Sequence, residues 1–191
     1  MILPVFRRSV HHNRIHALYG MIVAQARKGV FYTDYGIPDT VQGRFELLVL
    51  HLVLVLRGLN RRSRPPRTFG ERGHSDSLGQ LLFDAFCRDL DANLREMGVG
   101  DMGVPRRMRR FGEEFYGRQA AYQAALDRSD PEALENALAR NIFELDTVEA
   151  RVIRLADYSR AAAAQFEDAD IDAFASEPVF PDPAKFANTE H

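Results

Sequence analysis

Six histidines and a single cysteine bound the metal and nucleophile chemistry open to this 191-residue chain. His12 and His16 stand four apart, the spacing that sets two imidazoles on one face of a helix. A metal site needs a third ligand and usually a fourth. His11 would point elsewhere, and no carboxylate lies nearby in sequence. The pair reads as part of a solvated N-terminus, and no metal is expected. Cys87 has no CxxC partner and no second cysteine to bridge, so the chain carries no sign of an oxidising compartment. It reads as packing. No P-loop, dinucleotide fingerprint or GxSxG elbow occurs, so no cofactor is expected. Isolated polar residues on helices establish no active site. His12, His16, His51 and Asp89 alone keep a small-molecule or metal enzyme as a further reading.

The remaining candidates are polar residues that interrupt apolar patterns. Along Leu78–Met97, residues Leu78, Leu81, Leu82, Ala85, Phe86, Leu90, Leu94 and Met97 recur at helical spacing. Asp84, Arg88, Asp91 and Arg95 form the opposite, solvated stripe. Asp89 and Asn93 break the pattern by falling on the apolar arc. A carboxylate there needs a partner. It either bonds the neighbouring glycine loop or helps to line a recognition groove. Upstream, His51 interrupts the apolar run Leu47–Leu56, and Arg44 stands seven before it on the same stripe. His51 reads as a satisfied core histidine or a binding group; Arg44 and Glu46, in the first turns, read as solvated.

Helices must position these groups. The first is expected from Asn13 as N-cap to about Lys28, ended by Gly29. A second should follow the Asp39/Gln42 capping box and run to about Arg57. Its apolar run is far shorter than the ~20 residues that span a bilayer, so it reads as a central buried helix and no transmembrane segment is expected. Residues 58–73 read as a basic loop. After Leu78–Met97, the glycines at 98, 100 and 103 stop the helix, and Pro105 opens the next, to about Leu126. Asp130-Pro131 starts one long helix, or two broken near Asp146-Thr147, reaching past Leu155. The last ~15 residues read as a tail or a surface strap. No strand alternation or repeat is evident.

Charge is segregated. The net charge is −2, yet residues 1–72 carry +8 and residues 119–191 carry −9. Arg61, Arg62, Arg64, Arg67 and Arg72 make one basic patch. Arg106, Arg107, Arg109 and Arg110 make another, at a helix start where the dipole gives cations no help. A basic front can meet anionic lipid, RNA or an acidic partner, which keeps an RNA- or ribosome-associated protein as the alternative reading.

A series of motifs runs through Tyr19, Ile22 to Arg27, Phe31-Tyr32, and Pro38 to Leu47 with His51. It continues through Phe83-Asp84, Arg88 to Asp91, Leu94 to Asp101, and Glu114 to Arg118 with Tyr122. In this series the chain resembles the ubiquinol–cytochrome c chaperone family. The likeness covers residues 13–145 and fades in the arginine/proline loop and the acidic C-terminal part. The residues themselves read as an all-α, single-domain bundle of about six helices (residues 1–175) with a basic loop and an acidic, proline-containing C-terminal tail (176–191). The resemblance implies a non-enzymatic assembly factor for complex III whose client is newly made cytochrome b, a haem-carrying membrane subunit. A ribosome or a second assembly factor are further partners it suggests. A bacterial member would be cytoplasmic and peripheral to the inner membrane; eukaryotic relatives work at the mitochondrial inner membrane. The client surface is expected beside the glycine turn, from Asp89, Arg95, Glu96, Met97, Asp101 and Met102, with Arg44, Glu46 and His51 from the buried helix.

Overall fold

A computed structural model describes residues 3–62, 78–128, 130–168 and 180–187, with side chains from Arg14 onward except those of Arg61, Arg62 and Asp168. Every regular element among them is helical: α1 (Leu3–Ala26), α2 (Val30–Thr33), α3 (Val41–Arg62), α4 (Leu78–Glu96), α5 (Val104–Asp127), α6 (Pro131–Leu138), α7 (Ala150–Asp168) and α8 (Ala184–Ala187). The all-α expectation holds, with six helices of eight residues or more and two single turns.

The architecture follows from α3. Leu47, Val49, Leu50, Leu52, Val53, Leu54, Val55, Leu56 and Leu59 are all buried. A helix that is apolar on every side must be covered on every side. The neighbours that cover α3 are α1, α4, α5, α7 and the π-helical turn Ala139–Phe143. The outer helices bury one stripe each: Ile15, Leu18, Ile22 and Ala26 from α1, and Val152, Leu155, Ala156 and Phe166 from α7. An aromatic seam joins α3 to the α4–α5 hairpin, where Phe45 meets Phe111 at 4.6 Å and Phe83 meets Phe115 at 4.9 Å between centroids. Residues 180–187 strap the far side of α3 and α7. Phe180 packs on His51 and Phe166, Phe186 on Tyr158, and the Tyr35 hydroxyl donates to the Pro183 carbonyl at 2.8 Å.

Several boundaries depart from the sequence expectations. Helix α1 begins at Leu3, so Asn13 lies inside it rather than capping it. Pro4 is at home there, because the first-turn N–H groups have no helical partner. Helix α3 runs on to Arg62, past Gly58 and five residues beyond the expected end. Burial of Leu59 outweighs the glycine penalty of about 1 kcal/mol, and α4 docks so closely that a side chain at Gly79 would meet Asn60 Oδ1 at 2.7 Å. Arg61 and Arg62 therefore sit in a last helical turn, where the dipole favours cations; Arg64, Arg67 and Arg72 lie outside the described residues. The cap of α3 is Thr40, whose Oγ1 accepts from the Gly43 N–H at 3.1 Å, and Asp39 pairs with Arg44 instead. Pro105 is the second residue of α5, after Val104. Of the two readings for the stretch after Pro131, the broken one holds: α6 passes into the π-helical turn, and Glu144 in the left-handed region (φ 54°) ends it.

The chain reaches α3 through a close passage, since a Cβ at Gly43 would lie 2.1 Å from the Pro38 carbonyl oxygen. Gly43→Ala should therefore lower the melting temperature by several degrees, whereas Gly20→Ala, with nothing within 4 Å, should raise it slightly. Thermal denaturation of the two variants against the parent checks this.

Candidate functional site

Two kinds of polar group emerge, those inside the bundle around α3 and those outside at the α4–α5 turn. Glu46 is 1% exposed and is clasped by Arg118 of α5 at 2.6 and 2.5 Å, with Gln42 donating at 2.6 Å. It is not solvated, as its place in the first turns suggested. Burial pushes its carboxyl above the usual range, and the Arg118 guanidinium pulls it back only in part. Removing either member of such a pair strands the other, at about 3 kcal/mol or more. Near the other end of α3, Arg57 is almost wholly enclosed between Glu167 of α7 and Asp127 of α5, the latter at 2.8 Å.

Between them His51 is 0% exposed and fully satisfied. Its Nδ1–H donates to the Leu47 carbonyl at 2.7 Å, which leaves Nε2 to accept from the Tyr158 hydroxyl at 2.9 Å. The Tyr158 oxygen in turn accepts from Gln25 Nε2 at 2.9 Å. Four groups from α1, α3 and α7 thus share one directional chain of bonds. The assignment needs a neutral imidazole, and burial depresses its pKa to about 4. A client cannot reach His51 from the surface. Its role is to fix α3 against α7 and α1.

The outer site is built on the end of α4. Gly98 takes φ +78°. Its N–H bonds the Arg95 carbonyl at 2.9 Å, and the Val99 N–H bonds the Leu94 carbonyl at 3.0 Å. That is a Schellman stop, which only glycine adopts without strain. Gly103 must also be small, because a Cβ there would meet Val99 Cγ1 at 3.0 Å. The chain then enters α5 through buried Val104. This rigid reversal leaves Met97 and Met102 outside, 62% and 94% exposed. Arg95 bridges Asp91 at 2.8 Å and Asp101 at 2.6 Å, tying helix to turn, and Glu96 is exposed beside it. Asp89 proves to be exposed rather than on the buried arc. It accepts from the Tyr19 hydroxyl of α1 at 2.8 Å, not from the glycine loop, while Asn93 bonds the backbone carbonyl of Asp89. Of the second basic patch, Arg110 pairs with Glu114. Arg106, Arg107 and Arg109 are exposed and form no ion pair with any described residue.

Comparison with known proteins fits this geometry. Residues 33–180 match the ubiquinol–cytochrome C chaperone family. The chain belongs to that family. It is 25% identical over 166 residues to ubiquinol-cytochrome c reductase complex assembly factor 1 of Drosophila melanogaster, covering 85% of this chain and 61% of that protein. The chain therefore spans about three fifths of the length of that relative. It is also similar to the crystal structure of the Cbp3 homolog from Brucella abortus, with 36% identity, a TM-score of 0.79, and coverage of 97% of this chain and 99% of that one.

In this family member, the structure divides the expected site residues. Asp89, Arg95, Glu96, Met97, Asp101 and Met102 are exposed on α4 and the turn that follows it, Arg44 is exposed on α3, and Glu46 and His51 are interior. Sequence reasoning missed the partners: Arg118 for buried Glu46, Tyr158 and Gln25 around buried His51, and Tyr19 for exposed Asp89. Arg118 did leave a trace, because it falls on the stripe Phe111, Phe115 and Tyr122, a charge at an apolar position. Half-buried Cys87 has its thiol pKa raised by burial, which suits packing. Among the described residues, no three His, Cys, Asp or Glu side chains form a group able to hold a metal.

The depressed pKa of His51 has a measurable consequence. Below about pH 6.5 the unfolded chain takes up a proton that the folded chain refuses until about pH 4, so stability falls as pH is lowered through that window. Between pH 7 and 4.5 the parent should lose about 2 to 3 kcal/mol more than His51→Gln, which has nothing to titrate there. Urea unfolding of both at the two pH values checks this, the variant being less stable at pH 7.

Proposed function

We propose that this chain is a non-enzymatic assembly factor that holds newly made cytochrome b while the ubiquinol–cytochrome c reductase, complex III, is built. The observation that carries the reading is the family match over residues 33–180, on a fold close to that of a Cbp3 homolog. The placement of polar groups supports it. Glu46, His51 and Arg57 are occupied by partners inside the bundle, and no step of catalysis is assigned to them. The groups left facing outward lie along the α4–α5 hairpin, where Asp89, Arg95, Glu96 and Asp101 offer both signs of charge for orienting a client. None of the described helices is long and apolar enough to cross a membrane. The reading places the meeting with the bilayer-embedded client in a peripheral contact at the cytoplasmic face of the membrane.

Deleting the gene in its own host should reduce assembled complex III severalfold while the cytochrome b transcript remains at its normal level. Native gel electrophoresis of membranes and the reduced-minus-oxidised cytochrome b spectrum read this out. Normal complex III would contradict the proposal.

A further inference from the structure

Large apolar side chains are seldom left in water on a protein that can bury them. Among the described residues, four are markedly exposed: Val41, Met97, Met102 and Tyr116. Two of the four stand at one glycine turn, and Met102 at 94% exposure touches almost nothing of its own chain. The turn is not loose. The Schellman bonds at Gly98 and Val99, the Gly103 N–H to the Gly100 carbonyl at 2.7 Å, and the Arg95–Asp101 bridge fix its shape. A rigid turn that holds two methionines outward is built to present them.

What they are presented to follows from their surroundings. Immediately beyond Met102 come Arg106, Arg107 and Arg109, exposed and without ion pairs to described residues, then Arg110 paired with Glu114. From Val104 to Arg110 the helix rises about 9 Å, within the depth of a bilayer headgroup layer plus its first acyl carbons. The nearby acids are Glu96, Asp101 and Glu113. Asp101 is held by Arg95, whereas the three arginines keep their charge free for an outside anion. Four arginines stand at a helix start, where the dipole repels them; Glu114 answers Arg110, and an outside anion would answer the other three.

We infer that the α4–α5 turn is a membrane-insertion tip, in which Met97 and Met102 enter the acyl boundary of an anionic bilayer while Arg106, Arg107 and Arg109 bind lipid phosphates around it. Neither signal is sufficient alone. Two methionines offer little apolar area, and three arginines hold only at low salt; reversible anchoring needs both together. The inference deepens the reading of the chain as an assembly factor for a membrane subunit, and places its contact with the bilayer at the hairpin end beside the client groups.

The test uses the full chain and vesicles without client, so it stands apart from any assay of complex III. Sedimentation with vesicles of phosphatidylcholine containing 30% phosphatidylglycerol should show binding that weakens as salt is raised, with much weaker binding to pure phosphatidylcholine. Met97→Ser with Met102→Ser should weaken it tenfold or more, and Arg106→Gln with Arg107→Gln and Arg109→Gln likewise. All five side chains are exposed or at the surface, so unchanged circular dichroism melts should accompany the losses. Equal binding to both vesicle types, or binding that either set of substitutions leaves intact, would overturn the inference. So would methionine variants that keep vesicle binding yet no longer co-purify cytochrome b from the host, since the tip would then be a protein contact.

Discussion

The constraint on which the whole molecule depends is that α3, from Glu46 to Leu59, is enclosed on nearly every side. A helix buried on every side can keep a charged or polar side chain only if a neighbour supplies its complement. Glu46, His51 and Arg57 occur along it at intervals of five and six residues. Their complements are Arg118 on α5, Tyr158 on α7, and Asp127 with Glu167 at the ends of α5 and α7. Apolar packing alone would let the outer helices slide along α3, because side chains of similar size can repack at modest cost. Directional bonds to three fixed points remove that freedom. The same bonds account for the strap, since Phe180 and Phe186 seal the aromatic surface over His51 and Tyr158.

Fixing α3 and α5 has a consequence at a distance. Helix α4 lies between α1 and α5, and the Tyr19–Asp89 bond and the Phe83–Phe115 contact set its rotation. The turn between α4 and α5 then points in one direction, with its glycines allowing a reversal too tight for other residues. Function on this account is display. The interior holds still, and the exposed end of one hairpin is the surface proposed to meet a membrane subunit and the lipid around it.

Much of this was legible from residue order. The apolar run Leu47–Leu56 announced a buried helix, the Leu78–Met97 stripe announced α4, and Gly98 to Pro105 announced the reversal. The motif series placed the chain in its family before any geometry was known. Three things were hidden. Helix ends were misjudged wherever burial outweighed local propensity, as at Gly58, where Leu59 carries α3 onward. Polar pairs between residues such as Glu46 and Arg118, 72 apart in sequence, leave only a one-sided sign: a charge on an apolar stripe, with nothing to name its partner. Asp89 showed the opposite error. Its helical phase suggested burial, but it lies at the margin of the α1 contact, open to solvent on its other side.

The central claim is that the groups inside α3 serve structure and the groups around the α4–α5 turn meet the client. The most direct measurement is site-specific photo-crosslinking in the host's own membranes, with the crosslinking residue placed at Glu96 in one strain and at exposed Arg140, in the π-helical turn after α6, in another. The account predicts an adduct with newly made cytochrome b from position 96 and none from position 140. An adduct from position 140 with none from position 96 would contradict it.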